Sequence, residues 1–172
     1  MGFGFPAAIG AKIGCPDAQV VCVAGDGSFQ MNSQEMATAA INNVPVKVVL
    51  MDNRALGMVH QWQKLFYRER YSATILDPNP DFVKLADAYG WQAERVESSD
   101  EVSSALDRML SCEGPYLLDI CISADQNVYP MVAPGAAIND IIGAIDLTVG
   151  GVRSTEEYTG HSTSAHEKTG GE

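Results

Sequence analysis

The chain has 172 residues, 46% hydrophobic and 19% charged, with 16 Gly and 8 Pro. This composition can bury the core of one ordinary domain and excludes a fibrous or disordered protein. A net charge of −11 repels phosphate backbones, and the most basic stretch, residues 64–70 (KLFYRER), carries its own Glu69, so nucleic acid is excluded as a partner. No apolar run approaches the ~20 residues that span a bilayer, and MGFGFPAAIG lacks the charged start of a secretory signal. A membrane partner is excluded on the same grounds.

The first helix is predicted at about residues 6–14, with Gly2, Gly4 and Pro6 around its start. No strand-like run precedes it. Doubly wound domains normally feed the first helix from a strand, so the first strand is expected to be missing. Residues 19–24 (QVVCVA) read as a strand. Residues 32–42 have helical spacing, with Asn32 and Glu35 in the positions of a capping box. Val44-Pro45 stops that helix, and residues 46–51 (VKVVLM) form the second strand. A helix is predicted over 57–70. Pro80-Asp81 opens another, which Gly90 closes. A weaker strand follows at 91–97, then a helix at 99–112, Gly114-Pro115 as a break, and a last strand at 116–122 (YLLDICI).

Near-continuous apolar strands separated by helices indicate an α/β fold. It is doubly wound, with a mostly parallel sheet and helices on both faces. From residue 147 the chain is rich in Ser, Thr, Gly and Glu without sustained period. This predicts a disordered acidic tail over 147–172, in which His161 and His166 are solvated. Cys15, Cys22, Cys112 and Cys121 form no CxxC pair. Buried reduced thiols in a cytoplasmic protein explain them better than disulfides or metal ligation.

Two segments carry chemistry. Gly25-Asp26-Gly27-Ser28 directly follows the first strand, at the edge where open α/β sheets bind ligands. Glycines there let backbone N–H groups approach an anion. An aspartate between them repels a diphosphate unless a divalent cation bridges the two. Alone, Gly-Asp-Gly is also an ordinary turn. After the second strand come Asp52, Asn53, Arg54, Ala55, Leu56, Gly57 and Met58. One crossover places Asp26 and Asn53 on the same sheet edge. A carboxylate, an amide oxygen and backbone carbonyls are hard ligands that suit Mg²⁺.

With 25 residues between Gly27 and Asn53, GDG-S-F and the later Asn resemble the thiamine diphosphate (ThDP) signature of decarboxylases and carboligases. The resemblance implies Mg²⁺ ligation by Asp26, Asn53 and the carbonyl of Ala55. It implies diphosphate contacts from Gly27 and Ser28, in a cofactor site that also includes Gly25 and Asp26. MGFGFPAAIGAK, NRALGMVHQWQKLFY and NVYPMVAPGAAINDII are similar to the acetolactate synthase family, catalytic large subunit. That resemblance spans roughly residues 1–142. It implies that Met1, Leu56, Gly57 and Met58 lie around the cofactor rings and that Asn53 belongs to the same cofactor site. Met58, Trp62 and Gly135 would line the substrate channel, with Pro134 and Ala136 beside Gly135. Arg54-Ala55 stands where many relatives have Gln-His, which leaves a carbonyl role for Ala55 intact.

The resemblance further implies that residues 1–146 are the diphosphate- and Mg²⁺-binding domain, truncated at its N-terminus. No catalytic residue is expected within this chain. The family's glutamate at the aminopyrimidine belongs to a separate N-terminal domain, and FAD to a middle domain of the full-length enzyme. The implied reaction decarboxylates pyruvate and joins it to a second 2-keto acid, on the route to branched-chain amino acids. The implied partners are 2-keto acid substrates and the missing N-terminal part or second subunit, with a homo-oligomer in the intact enzyme. Little turnover is expected of the chain alone. The rivals are another ThDP enzyme, of pyruvate oxidase or glyoxylate carboligase type, and a non-catalytic remnant.

The residues themselves offer a second reading of 58–66. Met58, Trp62, Leu65 and Phe66 lie on one helix face, and such stripes are usually core or interface. His60 is expected to be a surface or hydrogen-bonded histidine.

Overall fold

The computed structural model describes residues 1–143, together with the backbone of residues 145–146 and 151–152. The chain divides into two compact units, Met1–Gln126 and Asn127–Glu172. The first unit opens with helix α1 (Gly4–Gly14), and no strand precedes it. Strand β1 (Val21–Gly25) runs directly into a short helix α2 (Asp26–Gln30), followed by α3 (Glu35–Ile41) and strand β2 (Lys47–Asp52). Helices α4 (Gly57–Phe66) and α5 (Phe82–Ala88) lead to strand β3 (Gln92–Val96). A single 3-10 turn (Ser99–Glu101) then enters α6 (Val102–Ser111), and strand β4 (Tyr116–Cys121) completes the sheet.

The four strands lie in the order β1-β2-β4-β3, and every pair is parallel. Alternation along β2 and β4 sorts the core into two layers. Val48, Leu50 and Leu117 face one side, where Phe5, Ile9, Met36, Phe82 and Trp91 cover them. Val49, Leu118 and Ile120 face the other, where α6 supplies Ala105 and Met109. The doubly wound parallel sheet with helices on both faces is therefore present. Lys47 is also buried, at the start of β2. Its ammonium donates to the carbonyls of Cys112 and Gly114, in the turn between α6 and β4.

Strand positions follow the expectations within two residues, and the helix boundaries show where local chemistry was redirected. Asp81 caps α5 by accepting the Lys84 N–H, and Gly90 follows that helix at φ +76°. Asn32 does not cap α3. The helix starts three residues later, without a side-chain cap: the Glu35 N–H goes to the Asn32 backbone carbonyl at 3.0 Å, and the Asn32 amide donates to the Gly2 carbonyl at 2.6 Å. The predicted helix over 57–70 stops at Phe66. Arg68 and Glu69 then adopt positive φ, which ends helical hydrogen bonding.

In the second unit, β5 (Met131–Val132) pairs antiparallel with β6 (Ile141–Ile142), and β7 (Ile145–Asp146) with β8 (Gly151–Val152). The remaining tail, including His161 and His166, lies outside the described residues. No helix among those described is long and apolar enough to cross a membrane.

Candidate functional site

The site is built at the C-terminal ends of β1 and β2. Gly25 ends β1, and Asp26 opens α2 with only 1% of its surface exposed. Its two oxygens have separate partners. Oδ1 accepts the Gly27 N–H at 2.8 Å, and Oδ2 accepts the Asn79 amide at 2.6 Å. The same Asn79 nitrogen donates to Asp52 Oδ1 at 2.9 Å. Burial, and then the neighbouring Asp52 carboxylate, push the Asp26 pKa up to about 6, against the hydrogen bonds from Asn79 and Gly27.

The loop after β2 is folded on itself. Asp52 Oδ1 accepts the Arg54 N–H at 3.2 Å, and Asn53 Oδ1 accepts the Ala55 N–H at 3.0 Å. Arg54 sits at φ +53°. Residues 74–76 strap the loop down. Leu56 N–H donates to the Thr74 carbonyl and Leu76 N–H to the Arg54 carbonyl, both at 2.8 Å. Ala55, 3% exposed, bridges Ile75.

The two loops meet at Gly27. A Cβ there would stand 2.7 Å from Leu56 Cδ2, 3.1 Å from Leu76 Cδ1 and 3.6 Å from Met1 Cε. Met1, Gly27 and Leu56, singled out separately in the sequence, are thus one cluster. Ser28 Oγ accepts the Gly2 N–H at 2.9 Å, which pins the N-terminal segment to α2. Gly57 closes on Asn53, since a Cβ would lie 2.9 Å from its amide nitrogen.

Helix α4 is turned the other way from an ordinary surface helix. His60 and Gln61 are its buried residues, while Met58 is 50% and Trp62 37% exposed. Of the two expectations for His60, surface or hydrogen-bonded, the surface one is corrected. The ring is 5% exposed, stacked on Tyr71 with centroids 4.2 Å apart, and its Nδ1 has no hydrogen-bond partner. Trp62 packs edge-on to Phe66 and, with Val59, Gln63, Tyr67 and Arg70, lines an open cavity of about 550 Å³. Gly135 belongs to the second unit, where it adopts φ +79°.

Sequence reasoning missed three members of this end of the sheet. Asn79 joins the carboxylates of Asp26 and Asp52, and Gln30 in turn donates to Asn79 Oδ1 at 3.0 Å. Asp119, fully buried, receives the Arg95 guanidinium on Oδ2 at 2.8 Å, while its Oδ1 has no partner. Alternation could have found Asp119, because it shares a sheet face with Leu117 and Cys121. A cavity of about 520 Å³ opens here, lined by Asp52, Asn53, Asp77 and Cys121 among others.

Among the described residues, no ion pair reaches Asp26 or Asp52. Two adjoining buried carboxylates without a basic partner form an acceptor set that suits a hard divalent ion. Each Asp26 oxygen keeps acceptor capacity beyond its one hydrogen bond. A carboxylate, an amide oxygen and a nearby carbonyl fit Mg²⁺, and the close approach of loops at Gly27 fits a backbone that must lie against an anion.

Comparison with known proteins gives the chain's family. The chain is 51% identical over 142 residues to the acetolactate synthase isozyme 2 large subunit of Escherichia coli, covering 83% of this chain and 26% of that protein. It is 50% identical over 145 residues to a probable acetolactate synthase large subunit of Methanococcus aeolicus, covering 84% and 24%. It therefore spans about a quarter of the length of the curated relatives it matches. Among solved structures it resembles the thiamine diphosphate-dependent 4-hydroxybenzoylformate decarboxylase of Rhodococcus jostii RHA1. That likeness has a TM-score of 0.66 and 29% identity, over 72% of this chain and 23% of that one. Residues 1–120 match the family described as thiamine pyrophosphate enzyme, C-terminal TPP binding domain, and the chain belongs to that family.

Proposed function

We propose that this chain is the part of an acetolactate synthase that holds Mg²⁺ and the diphosphate of ThDP. Asp26, Asn53 and the carbonyl of Ala55 bind the metal, while Gly27 and Ser28 contact the diphosphate and Gly25 belongs to the same cofactor site. Met1, Leu56, Gly57 and Met58 lie around the rings. Met58 and Trp62 line the path of 2-keto acids. When bound, ThDP supplies the carbon nucleophile for decarboxylating pyruvate and joining it to a second 2-keto acid.

The observation that carries this reading is the meeting of the two loops at Gly27, beside two buried carboxylates that pair with no basic side chain among the described residues. The protein's contribution is binding and orientation. The acid–base glutamate and any FAD site belong to other domains of the full enzyme, so the chain alone is inactive. In the cell it works in the cytoplasm, in a homo-oligomeric enzyme of branched-chain amino-acid biosynthesis. Calorimetry with ThDP and Mg²⁺ tests the binding. The parent chain takes up both together, and Asp26→Ala takes up neither. Unchanged metal dependence in Asp26→Ala refutes the assignment. Joined to an N-terminal segment carrying the glutamate, the chain forms acetolactate from pyruvate alone. A different product points to another ThDP enzyme, the reading that the decarboxylase-like fold supports.

A further inference from the structure

The amide of Asn79 is fully committed at a place where two buried carboxylates adjoin. Its nitrogen donates to Asp26 Oδ2 and Asp52 Oδ1, and its oxygen accepts from Gln30. Reversing the amide would aim its oxygen at both carboxylates and its nitrogen at a donor. The two carboxylates, which only accept, therefore fix which way Asn79 faces, and Gln30 holds the amide oxygen on the far side. Asp26 is held from its other side by the Gly27 N–H, so two donors set the plane of its carboxyl group and leave its remaining lone pairs in one orientation. Asn79 comes from the loop before α5, whereas Asp26 and Gln30 belong to α2 and Asp52 to β2. One side chain thus joins three segments at two carboxylates.

We infer that Asn79 is a positioning residue: it orients Asp26 for the divalent cation, with Gln30 bracing its amide oxygen. This rests on the reading of Asp26 as a cation ligand. Groups that orient a metal ligand from behind change affinity by about 10- to 100-fold when removed. A neutral donor does this work here without adding a positive charge that would compete with the cation.

The test measures Mn²⁺ uptake by the full chain in the presence of ThDP, from the loss of the free Mn²⁺ electron paramagnetic resonance signal. Asn79→Ala weakens uptake by about 10- to 100-fold. Gln30→Met, which touches neither carboxylate, weakens it less, and still reads out if Asn79→Ala fails to fold. Met109→Ala, in the core under α6, lowers the melting temperature and leaves Mn²⁺ uptake unchanged. That control separates positioning from general loosening. Uptake within twofold of the parent in both Asn79→Ala and Gln30→Met overturns the inference and leaves the functional reading standing. Equal weakening in Met109→Ala also overturns it. A parent chain that takes up no Mn²⁺ with ThDP overturns both.

Discussion

Arg95 joins three elements: it stands on β3, pairs with Asp119 of β4 at 2.8 Å and reaches the α5 cap Asp81 at 3.7 Å. Asp119 is fully buried and Arg95 is 30% exposed. Removing one partner of a fully buried pair costs about 3–5 kcal/mol, and the partial exposure of Arg95 lowers the expectation for Arg95→Met to about 2–3 kcal/mol. At about 2–4 °C per kcal/mol, the melting temperature falls by roughly 5–10 °C. The loss depends on pH. Burial already holds the Asp119 pKa above the usual carboxylate range despite Arg95. Without Arg95 the carboxyl protonates more readily, which removes the uncompensated charge. Arg95→Met is therefore more destabilising at neutral and alkaline pH than in acid. The double variant Arg95→Met/Asp119→Leu recovers most of the stability. Melting curves from acid to alkaline pH check the reasoning. A loss below 0.5 kcal/mol, or one independent of pH, refutes it.

Asp26 and Asp119 both have raised pKa values, so the folded state holds protons that the unfolded state has released. Stability from these groups is greatest in acid and is lost as pH rises. For Asp26 the window runs from its ordinary value of 3.8 to about 6. The melting temperature of the metal-free chain should climb between pH 7 and 5, and a flat or falling trend contradicts the assignment. Trp91→Phe removes the indole N–H that reaches the Met36 carbonyl at 3.2 Å, a carbonyl that lies within α3 and keeps its helical position. Denaturant titration should show a loss of about 0.5–1.5 kcal/mol, and an unchanged stability would clear that hydrogen bond of any role. Gly90→Ala forces a side chain to φ +76° at the end of α5, with nothing within 4 Å to clash. The cost, about 1 kcal/mol, is pure backbone strain, and a stabilised variant would disprove it.

The strands were legible because burial on both faces writes itself as unbroken apolar runs such as VKVVLM. Helix α5 was legible because its cap and its closing glycine are local chemistry. Asn32 misled because its backbone carbonyl, not its side chain, takes the Glu35 N–H, while its amide donates to Gly2, 30 residues away in sequence. In α4, spacing revealed an apolar stripe but not which way it faced. Which side meets the sheet is decided by the neighbours, and here His60 and Gln61 turn inward. The loop residues Asp26 and Asn53 were legible as a spaced pair. Asn79 gave no signal, because an asparagine between two prolines (PNP) looks like any loop. Its importance exists only once α2 and β2 stand side by side.

Lys47 gives the molecule an internal reporter. Its ammonium is enclosed at the start of β2 and grips two carbonyls of the turn that feeds β4, whereas Lys84 is open to water. An acylating reagent should label Lys84 at once and Lys47 only when β2 and that turn separate. The ratio of the two adducts, read by mass spectrometry, would therefore count openings of the central sheet.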